Sequence, residues 1–486
     1  MVDSAALTDL ISSAPGPDDL TTVTPPALTD GRSPALAAFL SFLWPGLGQW
    51  YAGRPRIAAI LALPVLAIAL YLLFLASHGI EALGADLLVP GFALALIALA
   101  VVLGAWRLLA IGHAYAVTAP AARPSRTRGA AIVALLAAIV VLSHALVGYY
   151  AWAFYDAGSR IFVGAEPIST PSQSPVDSTG PGGAAGNFAG GPDVTPATPN
   201  SRINILVTGI DAYRTRSEAL NDTLLVISID PATKRAAMIS IPRDTSDFRL
   251  YSGGTYTGKI NSLMTAAYLG PARYPDGPIR TLTREVGYIL GIPIHYYAAI
   301  DLAGFARMID PVGGVDVVNP KPIQDGLYDW LDGSRNGFYL SAGPHHLNGR
   351  LALAYVRSRQ GVGDSDYSRA ARQQQVLVAL KQKMIQPAML TKLPALLDAA
   401  AQTIKTDFPP DRVSEMLDIS KQLADSSIQK FVLGPPYNYH PDSSTTGGVW
   451  TSRLYMDKVA ALSVQLFGAD SAYYKPPALP SPIASP

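Results

Sequence analysis

Acids and bases collect at a few places along this chain, mostly where an apolar run stops. Asp211 closes the run 203–210, and Asp222 opens the one that starts at Thr223. Arg243 and Asp244 follow Ser240-Ile241-Pro242, and Lys259 precedes Ile260-Asn261. Arg357 and Arg359 close the run 351–356, while Asp364, Asp366, Arg369, Arg372 and Gln373 crowd into the next segment. Guanidinium groups take phosphate oxygens in bidentate pairs. Paired carboxylates take Mg²⁺, which keeps several waters and bridges substrate phosphates. The chemistry best matched to this set is phosphoryl transfer at a pyrophosphate, with metal and arginines neutralising charge on the leaving group. Each residue also has an ordinary use. An Asp after a strand caps a turn, and arginines on an edge strand keep it soluble. The chemistry is carried by the set, not by any one member.

Such residues need a scaffold that brings them to one rim. The runs 203–211, 223–229, 236–241, 296–300 and 315–318 are short, rich in β-branched residues and bounded by turn chemistry, which predicts strands. Helical periodicity covers 263–268, 278–290 and 369–385. Strands alternating with helices predict an α/β sandwich, whose sites cluster beyond strand ends. The run 351–356 reads as a strand, so a period of two places Arg357 and Arg359 on one face. Residues 387–470 hold further helix and short strand, broken at Pro409-Pro410 and Pro435-Pro436.

Composition narrows the remaining classes. A chain of 486 residues suggests about three domains. Lys+Arg is 37 and Asp+Glu is 36, and a net charge of +1 argues against a nucleic-acid binder. Charged residues make up 15% of the chain, against about 25% in a typical soluble protein. The absence of cysteine excludes disulfides, thiolate metal sites and cysteine nucleophiles. Seven histidines without an HExxH pattern argue against a zinc hydrolase.

The hydropathy pattern divides the chain. Residues 1–32 read as a disordered cytoplasmic tail, with no cleaved signal peptide expected. A membrane region follows over 33–155, with spans at 57–77, 87–106 and 129–151, each near the 20 or so residues that crossing requires. Basic residues at Arg54, Arg56, Arg107, Arg123, Arg126 and Arg128 set the orientation and place everything after the third span outside the cell membrane. Parity then requires segment 33–53, broken at Trp44-Pro45-Gly46, to be re-entrant or interfacial. A Pro/Gly/Ser/Thr-rich linker is expected over 156–200, holding the next domain away from the bilayer. Residues 201–386 are expected to fold as the α/β domain, and residues 471–486 form a Pro-rich tail.

Residues 203–386 resemble the LytR-CpsA-Psr family through seven strings in order. These are Ile205-Leu206-Val207-Thr208-Gly209-Ile210-Asp211, Asn221-Asp222-Thr223-Leu224, Ser240-Ile241-Pro242-Arg243-Asp244, Lys259-Ile260-Asn261, Asp310-Pro311-Val312-Gly313-Gly314-Val315-Asp316, Leu353-Ala354-Tyr355-Val356-Arg357-Ser358-Arg359, and the run from Asp364 through Asp366, Tyr367, Arg369, Arg372 and Gln373 to Gln374. The resemblance implies an α/β/α sandwich with a mixed central sheet as the catalytic domain over 201–386, with residues 387–470 as the family's usual C-terminal extension. It implies transfer of a glycopolymer from an undecaprenyl-pyrophosphate carrier to peptidoglycan, forming a phosphodiester with Mg²⁺ (or Mn²⁺). By position, Asp211 and Asp222 match the metal-linked aspartates. Arg243, Arg357, Arg359 and Gln373 match the pyrophosphate set, with Asp366 and Arg369 a polar pair beside it and Lys259 close by. Asp244 would orient Arg243. The family usually carries Arg where this chain has Leu220, and Arg214 or Arg216 is the available substitute. A prenyl tail would need an apolar tunnel, for which Leu224, Val226, Ile239, Ile300, Phe305 and Ile309 are candidates. The implied partners are a lipid-linked glycopolymer, peptidoglycan and the membrane, with no nucleic acid. A polyprenyl-pyrophosphate hydrolase and a membrane-bound transcriptional attenuator remain as alternatives.

Overall fold

The computed structural model describes residues 32–77, 80–119, 126–163, 201–211, 220–359, 361, 363–442 and 444–475. The linker residues from 164 to 200, the loop with Arg214 and Arg216, and most of both tails lie outside these. The chain separates into two compact units, one comprising residues up to Ser77 with Ile97–Gly148, the other His78–Leu96 with Tyr149–Pro486.

The helices of the N-terminal part are α1 (Pro34–Leu43), α2 (Leu47–Tyr51), α3 (Pro55–Ser77), α4 (Ile80–Asp86), α5 (Pro90–Thr118) and α6 (Arg126–Ile161). Three stretches, Pro55–Leu75, Pro90–Thr118 and Arg128–Ile161, are long and apolar enough to cross a membrane. At about 1.5 Å per residue, the 10 residues of α1 reach only half of a bilayer core of about 30 Å. Its apolar turns therefore do not amount to a span. The break at Trp44-Pro45 is followed by Gly46 at φ 103°, and α2 folds back on α1. Gln49, fully buried, spends its amide internally: Ser41 Oγ donates to its Oε1 at 2.9 Å, and its Nε2 donates to the Ala110 carbonyl at 2.7 Å. A buried amide left unpaired would cost several kcal/mol.

In the second unit the expected linker starts later than the composition suggests. Helix α6 continues to Ile161, and Phe154, Ala157 and Ile161 pack with Leu87, Leu88, Leu397 and Ala401. Phe162 then bridges Thr406, and the Val163 amide donates to the Thr406 carbonyl at 3.0 Å. Residues 156–163 therefore belong to the folded domain. Apolar burial outweighs their nearness to the Pro/Gly-rich segment.

The rest of this unit runs β1 (Ile203–Asp211), β2 (Leu220–Asp230), β3 (Arg235–Ser240), β4 (Phe248–Arg249), β5 (Thr255–Tyr256), α7 (Leu263–Leu269), α8 (Pro278–Leu290), β6 (Tyr296–Asp301), α9 (Leu302–Ile309), β7 (Val315–Asn319), β8 (Ile323–Asp325), β9 (Phe338–Leu340), β10 (Gly343–Leu347), α10 (Gly349–Arg357), α11 (Asp366–Met384), α12 (Leu393–Thr403), β11 (Ile404–Thr406), α13 (Val413–Gln422), β12 (Ile428–Val432), β13 (Asn438–Tyr439), β14 (Arg453–Leu454) and α14 (Met456–Phe467). Six strands form one mixed sheet in the order β11-β6-β1-β2-β3-β12. β6 is parallel to β1 and β12 to β3, and the other neighbours are antiparallel. Both edge strands come from beyond residue 386, so the region expected as an extension completes the sheet. The pleat sends Leu206, Leu224, Val226 and Ile239 to the side covered by α8 and α14. Val207, Leu225 and Met238 face the opposite side, against Leu377 and Val378 of α11.

Two expectations fail against this packing. Residues 349–357 are a helix, not a strand. Asn348 caps it by accepting from the Leu351 amide at 3.0 Å, and Ala352, Leu353, Tyr355 and Val356 are buried. Gly349 lets α10 approach α9, because a Cβ there would stand 2.1 Å from the Ala306 carbonyl oxygen. The six tunnel candidates do not form one wall. Leu224, Val226 and Ile239 lie on one face of the sheet, while Ile300, Phe305 and Ile309 belong to the cluster on the other.

Glu285 of α8 is fully buried. Its Oε2 accepts the Tyr251 amide at 3.2 Å, while Oε1 has no hydrogen-bond partner. Burial pushes its pKa from 4.5 up to about 8, against the opposing pull of that amide. Between these values the folded chain holds a proton that the unfolded chain has released, so stability falls as pH rises through this window and levels off above about 8. Glu285→Gln should flatten that decline, read as the urea midpoint of the full chain in detergent at several pH values. An unchanged slope would show that Glu285 is ionised in the folded state.

Candidate active site

The antiparallel order of β1, β2 and β3 places the end of β1, the start of β2 and the end of β3 at the same edge of the sheet. Asp211, Asp222 and Arg243 therefore reach one rim, although they are far apart in sequence. The β1–β2 ladder pairs Gly209 with Thr223 and Ile210 with Asn221, so Asp222 has no partner across from it. An extra residue of this kind re-aims a side chain and is favoured beside functional sites. The carboxylate of Asp222 accepts from Arg243 Nη1.

Helix α11 supplies the opposite wall. Ser365 and Ser368 cap its start reciprocally, which places Asp366 in the first helical turn, where the helix dipole favours a carboxylate. Asp366 is the hub of the site. Its oxygens lie 3.6 Å from Arg243 Nε, 3.5 Å from Arg369 Nη2 and 3.8 Å from Arg359 Nη1. Arg369, only 6% exposed, also donates to the Asp222 carbonyl at 3.1 Å. Lys259 donates to Asp244 Oδ1 at 2.7 Å, and the Asn261 amide donates to the Arg243 carbonyl at 3.2 Å. Those two bonds tie the Lys-Ile-Asn segment to the turn that carries Arg243. Gln373 donates to the Val356 carbonyl at 3.2 Å.

Burial opposes the charge of both central guanidiniums. For Arg243 the neighbouring Asp222, Asp366 and Asp244 outweigh burial and hold the pKa above its ordinary value. For Arg369 burial prevails over the same acids and lowers it. Nε of each is buried without a hydrogen-bond acceptor. Asp366 is an acid close to both, through Arg243 Nε and Arg369 Nη2, and a phosphate oxygen is the acceptor that suits a guanidinium.

Two pockets open beside these groups. A narrow slot is lined by Asp222, Thr223, Pro242, Arg243, Asp366, Arg369 and Gln373 among others. A cavity of about 420 Å³ adjoins it through Pro242, Asp366 and Tyr367, and adds Asp244, Arg359 and Asp364. Arg357 lines neither. Its guanidinium lies over the Tyr328 ring, 6.0 Å from the centroid. Because 349–357 is a helix, Arg357 and Arg359 do not share a strand face. Asp211 ends β1 at the same rim, and its side chain lies outside the described residues. Among the described residues no group of three His, Asp or Glu gathers. Two hard carboxylates at adjacent strand ends nevertheless fit Mg²⁺, which binds through one or two carboxylates plus substrate phosphates.

Several positions around the candidate site escape sequence reasoning. Asp325 on β8 accepts from Ser358 Oγ at 2.8 Å and from the Arg359 amide at 3.2 Å, anchoring the turn after α10. Tyr367, His440, Trp450 and Ser452 line the larger cavity. His440 and Trp450 sit in a Pro/Ser/Thr/Gly-rich stretch with no periodic signal. Arg372 and Asp364, grouped by sequence with the phosphate binders, serve the scaffold. Arg372 donates to both Asp364 oxygens, at 2.8 and 2.9 Å, to the Tyr355 carbonyl at 2.7 Å, and to the Ser358 carbonyl. With both side chains buried, removing one partner leaves an uncompensated charge. Asp364→Asn should therefore destabilise the folded chain by about 3–5 kcal/mol, read from denaturant midpoints. A loss below about 1 kcal/mol would mean that the pair behaves as a surface ion pair.

Comparison with known proteins places these motifs in context. Residues 182–451 match the LytR_cpsA_psr family model. The polyisoprenyl-teichoic acid–peptidoglycan teichoic acid transferase TagV of Bacillus subtilis is 32% identical over 254 residues, covering 50% of this chain and 61% of that protein. TagU of Halalkalibacterium halodurans, of the same printed activity, is 31% identical over 214 residues, covering 44% of this chain and 63% of that protein. The chain thus spans less than two thirds of either. TagU of Bacillus mycoides is 27% identical over 305 residues, covering 61% and 88%. Among solved structures, TagV of B. subtilis aligns with TM-score 0.45 at 25% identity, covering 57% of this chain and 100% of that one. The family match takes in more than half of the chain and includes both the rim acids and the arginine-bearing helix α11, and on that ground the chain belongs to the LytR_cpsA_psr family.

Proposed function

We propose that this chain is a membrane-held phosphotransferase that moves a glycopolymer from a polyprenyl pyrophosphate to a hydroxyl of peptidoglycan, outside the cell membrane. The observation that carries this reading is the convergence of three guanidiniums, Arg243, Arg359 and Arg369, on Asp366 at the wall of two adjoining pockets. The three apolar helices suit an enzyme whose substrate is anchored in the bilayer, and an outward-facing domain is what the basic residues flanking them predict. The printed activities of TagV and TagU support the same substrate class.

In this reading the acceptor hydroxyl attacks the phosphorus that carries the glycan. The bond from that phosphorus to the bridging oxygen breaks, a phosphodiester forms, and polyprenyl monophosphate leaves with the hydroxyl proton. Arg243, Arg369 and Arg359 stabilise charge that builds on the bridging oxygen and the leaving phosphate. Asp366 holds the three guanidiniums in place before substrate arrives, and Lys259 orients Asp244 beneath Arg243. Asp211 and Asp222 would hold Mg²⁺ (or Mn²⁺), which when bound supplies further positive charge to the pyrophosphate.

Arg243→Ala in the full chain should lower transfer from a polyprenyl-pyrophosphate-linked glycan to peptidoglycan by about 10²–10³-fold. Arg243→Lys should recover only part of this, because an ammonium lacks the planar fork. Transfer at the wild-type rate in both variants would remove Arg243 from the site. Release of lipid monophosphate by the wild-type chain at the same rate with and without peptidoglycan would show hydrolysis instead.

A further inference from the structure

The phosphotransfer reading uses only part of the 420 Å³ cavity. The remaining wall is aromatic: Tyr367, His440 and Trp450, with Ser365 and Ser452 beside them. Trp450 stacks on His440 with ring centroids 4.1 Å apart, and it remains 64% exposed. A large aromatic ring left so open at a cavity mouth has one face against His440 and the other available to a ligand.

The polar atoms behind this stack are spent on holding it. His440 Nδ1 lies 2.8 Å from the Thr451 carbonyl, so this nitrogen carries the proton. Its Nε2 accepts from Tyr367 Oη at 3.0 Å, and Tyr367 Oη in turn accepts from Asn438 Nδ2 at 2.7 Å. Asn438 Nδ2 also donates to Ser452 Oγ at 2.7 Å. Burial raises the Tyr367 phenol above its ordinary pKa. With both imidazole nitrogens and the phenol engaged, the His440 ring is fixed beneath Trp450. The cavity is offered ring faces, together with the acceptor-only carboxylates of Asp244 and Asp366.

Flat apolar ring faces beside carboxylate acceptors suit a pyranose. Its C–H face packs on an aromatic ring, and its hydroxyls donate to carboxylates such as those of Asp244 and Asp366, which have more lone-pair sites than their present partners fill. Resting on the phosphotransfer reading, we propose that Trp450, braced by His440 and Tyr367, is the platform of a pyranose subsite for the sugar that adjoins the reacting phosphate. That sugar belongs either to the lipid-linked glycan or to the peptidoglycan acceptor.

The test measures binding to the full chain in detergent, with three probes. They are undecaprenyl pyrophosphate without sugar, the same lipid carrying N-acetylglucosamine, and a soluble muramyl disaccharide fragment. Trp450→Ala should bind the bare pyrophosphate as the wild type does and should weaken one sugar probe about tenfold, equal to about 1.4 kcal/mol. Trp450→Phe should retain most of the affinity. Loss with the glycosylated lipid assigns the subsite to the donor, and loss with the muramyl fragment assigns it to the acceptor. Wild-type binding of both sugar probes by Trp450→Ala overturns the subsite alone, as does an equal loss with the bare pyrophosphate. A wild-type chain that binds neither polyprenyl pyrophosphate overturns the phosphotransfer reading and the subsite with it.

Discussion

Three guanidiniums crowded into one half-buried space repel one another, and burial makes the repulsion worse by weakening the screening of charge. The site exists because Asp366 lies within 4 Å of Arg243, Arg359 and Arg369, while Asp222 holds Arg243 from the other side. Compensation is close but incomplete, since three guanidiniums face two carboxylates. The excess positive charge is what a pyrophosphate can neutralise. Much of the surrounding structure can be understood as the means of placing Asp366 and Asp222 on facing walls.

The sheet places Asp222. An antiparallel run of three strands returns the chain to the same edge twice, and the unpaired position in β2 turns Asp222 out of the regular pleat. Helix α11 places Asp366. Its depth is set by Gln374, whose amide donates to Ser240 Oγ and to the Phe431 carbonyl, both at 2.9 Å. Its start is set by the buried Arg372–Asp364 pair, which also grips the turn after α10. One helix thus binds the sheet through one residue and the arginine-bearing turn through another. Asp310 continues the same logic at a distance: its carboxylate accepts the Gly349 amide at 2.7 Å and so joins the Asp-Pro-Val-Gly-Gly turn to the start of α10.

Attachment to the apolar helices also proves more structural than composition suggests. The last turns of α6 and the segment Leu87-Leu88 bury apolar side chains against α12, and Phe162 and Val163 add to the β11 edge. An exposed sheet edge invites pairing with other chains. Here the chain's own preceding segment partly covers it.

Much of the scaffold was legible in the sequence because it rests on local periodicity. The strands around 203–211, 223–229, 236–241 and 296–300, the helices at 278–290 and 369–385, and the three long apolar stretches all announce themselves through the spacing of apolar residues. Most of the polar set was legible too, because Asp222 and Arg243 stand where apolar runs begin or stop and Asp366, Arg369 and Gln373 crowd into one short segment. The run 351–356 was misread because six apolar and small residues fit either period, and the choice fell to the Asn348 cap and the packing of Gly349 on α9. Local pattern could not reveal that Arg357 turns to Tyr328 while Arg359 turns to the cavity, that Arg372 and Asp364 brace the scaffold, or that His440 and Trp450 wall the pocket. Those outcomes depend on contacts between residues tens of positions apart. Sequence by itself determined most of the elements that form and where charge collects along them, because both follow largely from neighbours a few residues away. Only the tertiary structure decided which charges meet, because burial and hydrogen-bond pairing act through space.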